Sequence, residues 1–409
     1  MAKATVKSRA KSSKPAAKVA RFDRARAVDL VMELMAIPGA SGNETAVASC
    51  ITQKLTAAGV PASAIRHDNA HKKTPFAGEI GNLIVQLPGT IKAPRRLLMA
   101  HMDTVPICVG SKPKRVGSFV RSADPKTGLG ADDRAGVAVV LWSVLEIVSR
   151  GLPHPPLTLL WAIQEEVGLQ GARCLQTSLL GKPKLAFNFD GGAAEKLTIG
   201  ATGGYRMQID IQGLAAHAGG APEHGISAIA IASLAIADLV QNGWHGLIEK
   251  NGRQGTSNVG VIHGGAATNV VTDHVVLKAE ARSHDPAFRK VIVKEIERAF
   301  RDAVGKVRSA DGKAGAVRFA GHNDYEAFRL LENDPSVLAA EDAVRAVGLT
   351  PVRAISNGGL DANWMTAHGI PTVTLGCGQM HIHTTSERLD LAAFENACQI
   401  GLRLATGSE

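Results

Sequence analysis

Leu157 to Ala172 reads LTLLWAIQEEVGLQGA, six apolar residues in seven followed by two adjacent carboxylates, Glu165 and Glu166. The run Leu157–Ile163 is short, apolar but for Thr158, and preceded by Pro155 and Pro156. Those features predict a strand buried on both faces of a sheet rather than a helix. Glu165 and Glu166 then stand at its carboxyl end, where open α/β sheets bind their ligands. Neighbouring side chains on an extended chain point in different directions, so one carboxylate is free to hold a metal while the other moves a proton.

Outward from this strand, helical and strand patterns alternate. Residues 25–36 carry helical apolar spacing, and Ser41–Leu55 opens with a Ser followed three residues on by Glu44, a capping-box pattern. GNLIVQLPG, RRLLMAHMD and KPKLAFNFDGG read as strands, and DRAGVAVVLWSVLEIVSRG as a helix stopped by Gly151. That order predicts an α/β fold with a largely parallel central sheet. From about residue 201 the texture changes to a β-α-β-β-α unit, with helices over 226–240 and 286–304 and strands near 256–263 and 270–281. The first texture then resumes with a helix over 334–347. The chain is thus divided into a basic tail at 1–24, a catalytic layer at 25–200 and 319–409, and an inserted smaller α+β unit at 201–318.

The chain has 409 residues, 45% of them hydrophobic, enough for two packed domains. Its formal net charge of +9 is concentrated at one end: residues 1–20 hold six Lys or Arg and no acid, leaving 40 basic against 37 acidic residues elsewhere. A tail rich in Lys, Ala and Ser is expected to be disordered, and no nucleic-acid surface is indicated on the folded domains. No apolar signal core and no run of 18 apolar residues occurs. A cytoplasmic location is the expectation, although the tail's composition also suits an organelle transit peptide. The five cysteines are scattered and form no C-x-x-C pair, so they read as buried small hydrophobes.

The polar residues that follow the strands carry the chemistry. His101 and Asp103 lie two apart in HMDTVP, on the same side of an extended chain. A metal-bound imidazole usually donates its second N–H to a carboxylate, and Asp103 is read as that partner of His101. Asp132 and Asp133 follow a glycine-rich turn, Asp190 closes NFDGG, and His381 and His383 stand in HIHTTSE. Two imidazoles and three or four carboxylates at strand ends suit two zinc-like ions, ~3.5 to 4 Å apart if a carboxylate is shared. Asp133 is read as mainly structural. The turn TGLG matches neither phosphate-binding glycine pattern, which speaks against a nucleotide site.

HMDTVP, GADDRAG, EEVGLQGA, DGG, AAHAGGAPEHGISAI and HTTSE occur in this order along the chain. Together they resemble the successive signatures of the di-zinc exopeptidase and aminoacylase family, and most of all its peptidase T, or tripeptide aminopeptidase, branch. The resemblance covers about residues 25–405 and implies a zinc-exopeptidase-like catalytic domain split by a lid and dimerisation domain. By similarity His101 and Asp190 would bind one zinc, Glu166 and His383 the other, and Asp132 would bridge them. Cobalt or manganese could take the place of zinc. Glu165 would be the general base, and the Asp132–Asp133 peptide would be cis. His217 resembles the histidine that reaches the active site of the partner subunit in a homodimer, and Asn269 and Arg282 match positions that contact the substrate carboxylate. His383 is preferred over His381 because Glu387 follows it by four residues. The implied reaction is zinc-dependent hydrolysis of short peptides. The alternatives are N-acyl amino acid hydrolysis, dipeptidase action or carboxypeptidase action on the same fold.

Overall fold

Leu157–Ala162 forms a strand with all six residues buried, because it is enclosed by neighbours on both sides. Leu83–Leu87 pairs with it antiparallel and Arg96–His101 parallel. This computed structural model describes residues 22–407. Across the central sheet the strands run Ile65–His67, Leu83–Leu87, Leu157–Ala162, Arg96–His101, Leu185–Phe189, Thr372–Leu375, Lys196–Ala201 and Phe328–Arg329, with Val352–Ser356 also paired to Lys196–Ala201. The four strands from Leu157–Ala162 to Thr372–Leu375 are mutually parallel. Both flanks bring antiparallel pairs, so the expected largely parallel sheet is in fact mixed. The parallel centre is the part that matters for the site, because it aligns the carboxyl ends of His101, Ala162 and Phe189 along one edge.

The helix Ala131–Arg150 is buried along nearly its whole length. Val, Leu, Ile and Trp occupy all its faces, and a helix that is apolar all round has to lie inside. It packs between the central sheet, the amphipathic C-terminal helix Leu391–Thr406 and the first helix Arg24–Ala36. Gly151 ends it in the left-handed region at φ 59°, as the sequence predicts. The basic tail expected at residues 1–24 falls outside the described residues up to position 21. Its last residues belong to the fold instead: Phe22 packs edge-on against Trp142, and Arg24 starts a helix capped by Asp23.

The chain leaves the first sheet at Ala201 and returns at Phe328, and these two residues face each other across neighbouring strands. Between them lies a second, fully antiparallel sheet in the order Gly246–Lys250, Arg253–Gly264, His274–Ser283, Gly203–Gln212, Ala316–Tyr325. Helices Ala228–Gln241 and Pro286–Lys306 pack on it around a separate apolar core. The expected boundary at 318 therefore cuts through a strand. Gly246–Lys250 and Ala316–Tyr325 were not anticipated because both are edge strands, with little of the buried alternation that reveals a strand in sequence. Among the described residues no helix is long and apolar enough to cross a membrane.

Candidate active site

His101 is the last residue of its strand and is buried. Its Nδ1 lies 3.1 Å from the Asp103 carbonyl and 3.4 Å from Asp103 Oδ1, while Nε2 lies 3.2 Å from Asp132 Oδ1. Asp103 does more than orient this ring. Its Oδ1 accepts the Glu165 N–H at 2.9 Å, and its Oδ2 accepts the Glu166 N–H at 3.1 Å and the Ser41 hydroxyl at 2.6 Å. One buried carboxylate thus ties the His101 strand end to the Glu165–Glu166 turn.

Asp132 stands between two imidazoles. Its Oδ2 is 3.1 Å from His383 Nε2, whose other carboxylate neighbour is Glu166 at 3.0 Å. The Asp132–Asp133 peptide is cis. Glu387 holds this turn in place by accepting the N–H groups of Leu129 and Gly130 at 2.7 Å and of Asp132 at 3.0 Å. His381 makes no approach of this kind. Its carbonyl accepts the Thr384 hydroxyl, and His383 is the ring that reaches the cluster.

Asp133 accepts the His101 N–H, the Gly136 N–H and the Gln379 amide at 3.1, 3.1 and 2.8 Å, so its oxygens are already engaged. Donor atoms of His101, Asp132 and Glu166 lie within 4.8 Å of one another, as do those of His101, Asp133 and Asp190. Of the second set, Asp190 is the less engaged carboxylate, with the Gln379 amide as its side-chain partner.

The electrostatics of the cluster are those of excess negative charge out of water. Burial, with the Asp132 charge adding to it, pushes Asp190 up to about 7. Burial likewise raises Glu165 well above the usual carboxylate range, and raises Glu166. Asp132 is held down to about 2 against its burial because His101 and His383 hydrogen-bond to it, and His383 is in turn raised to about 10 by Asp132 and Glu166. Asp361, also buried, has neither carboxylate oxygen hydrogen-bonded among the described residues, and burial raises it to about 7. Protons are being drawn in where cations are wanted. Two ligands each about 2.1 Å from a tetrahedral ion lie ~3.4 Å apart. The 3.0 to 3.2 Å contacts between imidazole nitrogens and carboxylate oxygens are close to that spacing. A mixed nitrogen and oxygen donor set of this kind fits divalent ions such as zinc.

The structure gathers His101, Asp103, Asp132, Glu165, Glu166, Asp190 and His383 in one place. Arg282 lines the same cavity, but its Nε and Nη2 are already forked onto Glu280 at 2.9 Å each. His217 and Asn269 are not among the residues lining it within one chain. They stand on two adjacent exposed loops, bridged where Ala218 N–H donates to the Asn269 carbonyl.

Two supports were missed in the sequence. The capping box expected at Ser41 and Glu44 is absent: the Ser41 hydroxyl goes to Asp103, and the helix begins at Thr45 without a side-chain cap. Glu44 is instead buried, its Oε1 accepting the N–H groups of Gly42 at 2.8 Å and Gln164 at 3.0 Å, the latter just before Glu165 and Glu166. In sequence the Ser-x-x-Glu spacing of a cap conceals both contacts.

Known proteins resemble the chain along most of its length. Residues 97–407 match the profile of peptidase family M20/M25/M40. A tripeptidase from Staphylococcus aureus superposes with a TM-score of 0.84 at 32% identity, covering 94% of this chain and 98% of that one. An aminopeptidase, PepT, from Bacillus cereus gives 0.80 at 31% identity over the same shares of the two chains. YqjE, an uncharacterized protein of Bacillus subtilis, is 31% identical over 367 residues, 90% of this chain and 94% of its own. Matched in this way in sequence and in fold, the chain belongs to peptidase family M20/M25/M40 and is a peptide hydrolase.

Proposed function

We propose that this chain is a two-zinc exopeptidase of short peptides, acting as a tripeptide aminopeptidase in the cytoplasm and as a homodimer. The observation that carries the reading is the Asp132 carboxylate, with one oxygen 3.2 Å from His101 and the other 3.1 Å from His383, and the half-buried Glu165 3.9 Å from the same His101 nitrogen. His101 and Asp190 would hold one ion, Glu166 and His383 the other, with Asp132 shared. Bound there, such ions would supply Lewis acidity, polarising the amide carbonyl and lowering the pKa of the attacking water.

Glu165 takes that proton and passes it to the leaving amine, and its burial favours the exchange by raising its affinity for a proton. Asp103 keeps the Glu165 backbone and the His101 ring in fixed relation. His217 has its Nδ1 occupied by the N–H groups of Gly219 and Gly220 at 3.2 and 2.9 Å, so the ring proton sits on the outward Nε2. That N–H is suited to an oxyanion in the site of a second copy, with Asn269 beside it. Ile229, Leu234, Val240, Leu247 and Ile262 are exposed on the inserted unit, and apolar surface left open to water favours association with such a copy.

A substrate panel on zinc-loaded protein tests the reading. Tri-alanine should be cleaved from its amino end, faster than dialanine and than N-acetylalanine. Preferential release of acetate, or of the C-terminal residue, would replace it with the acylase or carboxypeptidase alternative.

A further inference from the structure

Tyr325 is only 5% exposed, yet it lines the cavity of about 460 Å³ over the carboxylate cluster. It ends the last strand of the inserted unit, just before the chain returns to the central sheet at Phe328. Val317 and Phe319 of that strand pack on the apolar core of the inserted unit, and strict alternation would send Tyr325 to the same side. The pairing is broken first. Asn323 lies opposite Tyr205 and Tyr325 opposite Gly204, so Asp324 is an extra residue, a bulge that re-aims the side chain after it. Tyr325 is thereby moved to the face of Gly204 and Arg282, which are themselves paired across the sheet, and Arg282 lines the same cavity.

Two glycines make room for the ring. A Cβ on Gly359 would stand 2.4 Å from Tyr325 Cζ, and one on Gly204 3.0 Å from the same atom. Neither glycine has a positive φ, so the close approach of the ring, rather than backbone shape, excludes a side chain at both. Gly204 belongs to the inserted unit and Gly359 to the loop after Val352–Ser356 of the central sheet, so the end of the ring that carries the hydroxyl is held from both sides of the cavity.

That hydroxyl makes no hydrogen bond among the described residues. Burial raises its pKa, with Arg282 opposing, which keeps it an O–H donor at neutral pH. A donor fixed in a largely dry wall and left without an acceptor is costly unless something entering the cavity supplies one. The charges that act on it, those of Arg282, Asp324, Glu280 and Arg206, all belong to the inserted unit and none to the carboxylate cluster. The scissile carbonyl has to lie against that cluster, so the hydroxyl meets a part of the substrate further along. In an aminopeptidase one residue precedes the scissile bond, and the next acceptor of the main chain lies in the leaving portion.

We propose that the Tyr325 hydroxyl donates a hydrogen bond to the peptide carbonyl that follows the scissile bond. The proposal rests on the peptidase reading and gives its preference for length a source: a tripeptide carries an amide carbonyl at that place, whereas a dipeptide already ends there. Tyr325 is on this account a specificity residue that touches the leaving portion of the substrate.

The test compares two uncharged-ended substrates, alanyl-alaninamide, which has that carbonyl, and alanine isopropylamide, in which a methyl group replaces the carboxamide. Calorimetry on zinc-loaded Glu165→Gln protein measures binding without turnover, and kcat and KM are measured with Glu165 intact. Alanyl-alaninamide should be favoured ~5-fold or more in both binding and kcat/KM, the net worth of one neutral hydrogen bond. Tyr325→Phe keeps the ring between its glycines, so the fold and melting temperature should be retained. It should bring the preference to near unity by weakening alanyl-alaninamide alone, with isopropylamide unchanged.

A preference undiminished in Tyr325→Phe would overturn the assignment. Equal losses for both substrates would also overturn it, by placing the hydroxyl at the scissile carbonyl. A preference that is seen in calorimetry and abolished by Tyr325→Phe, without hydrolysis of any peptide, would leave the hydrogen bond standing and remove the peptidase reading.

Discussion

Glu165 and Glu166 are neighbours in the chain whose side chains meet different surroundings. Glu166 contacts His383, whereas Glu165 is set near His101 with no hydrogen bond to it, at 3.9 Å. Glu165→Gln should therefore retain bound metal and lower kcat by ~10²-fold or more, and Glu166→Gln should lose metal. Elemental analysis beside turnover checks this, and full zinc with full activity in both variants would refute the division of roles. Glu44 allows a test of pH dependence. Burial, with the charge of Asp103 adding to it, raises its carboxyl from 4.5 to about 7. Between those values the unfolded chain loses its proton first, so the group's contribution is fully present below 4.5 and is lost as the pH rises through 7. Glu44→Gln keeps an acceptor for the Gly42 and Gln164 N–H groups and carries no charge. Its melting temperature relative to the unsubstituted protein should rise between about pH 5 and about pH 8, equivalent to at most about 3 kcal/mol. A constant difference across that range would contradict the assignment.

At the scale of elements, the site depends on how turns are held at strand ends. The strand ends themselves were legible, because apolar runs followed by polar residues mark where a buried strand emerges. Their fastening was not. Glu387 lies more than 250 residues from the turn whose three N–H groups it accepts, and its spacing from His383 does not reveal that contact. Glu387→Ala would leave those buried donors unpaired at a cost of roughly 3 kcal/mol or more in total. A lowered melting temperature together with weaker zinc retention is the expected result, since the same turn carries Asp132. Unchanged zinc affinity in a folded Glu387→Ala protein would show that the turn keeps its shape without this carboxylate.

At the scale of the molecule, His217 bears on the assembly. If each site takes Glu165 from one chain and His217 from the other, Glu165→Gln and His217→Ala should each be nearly inactive, the second through loss of an oxyanion donor worth ~3 kcal/mol. Refolded together in equal amounts, about half of the dimers are mixed, and one site in each has both residues intact, which restores roughly a quarter of full activity. Mixed dimers shown to be present but no more active than the separate variants would place His217 in its own chain's site or in none.

The α/β order, the inserted unit, the strand-end positions of His101, Glu165, Glu166 and Asp190, and the place of Asp132 after a glycine-rich turn follow from the sequence alone. Each depends on spacing between near neighbours: period-two or unbroken apolar runs, turn residues, and the polar residue that comes next. Tertiary structure decided the rest. It set the antiparallel flanks and edge strands, the burial of Glu44, and the pairing of Glu387 with the Asp132 turn. These are contacts between residues tens to hundreds of positions apart, and their partners are selected by packing of the whole chain, which no local pattern encodes.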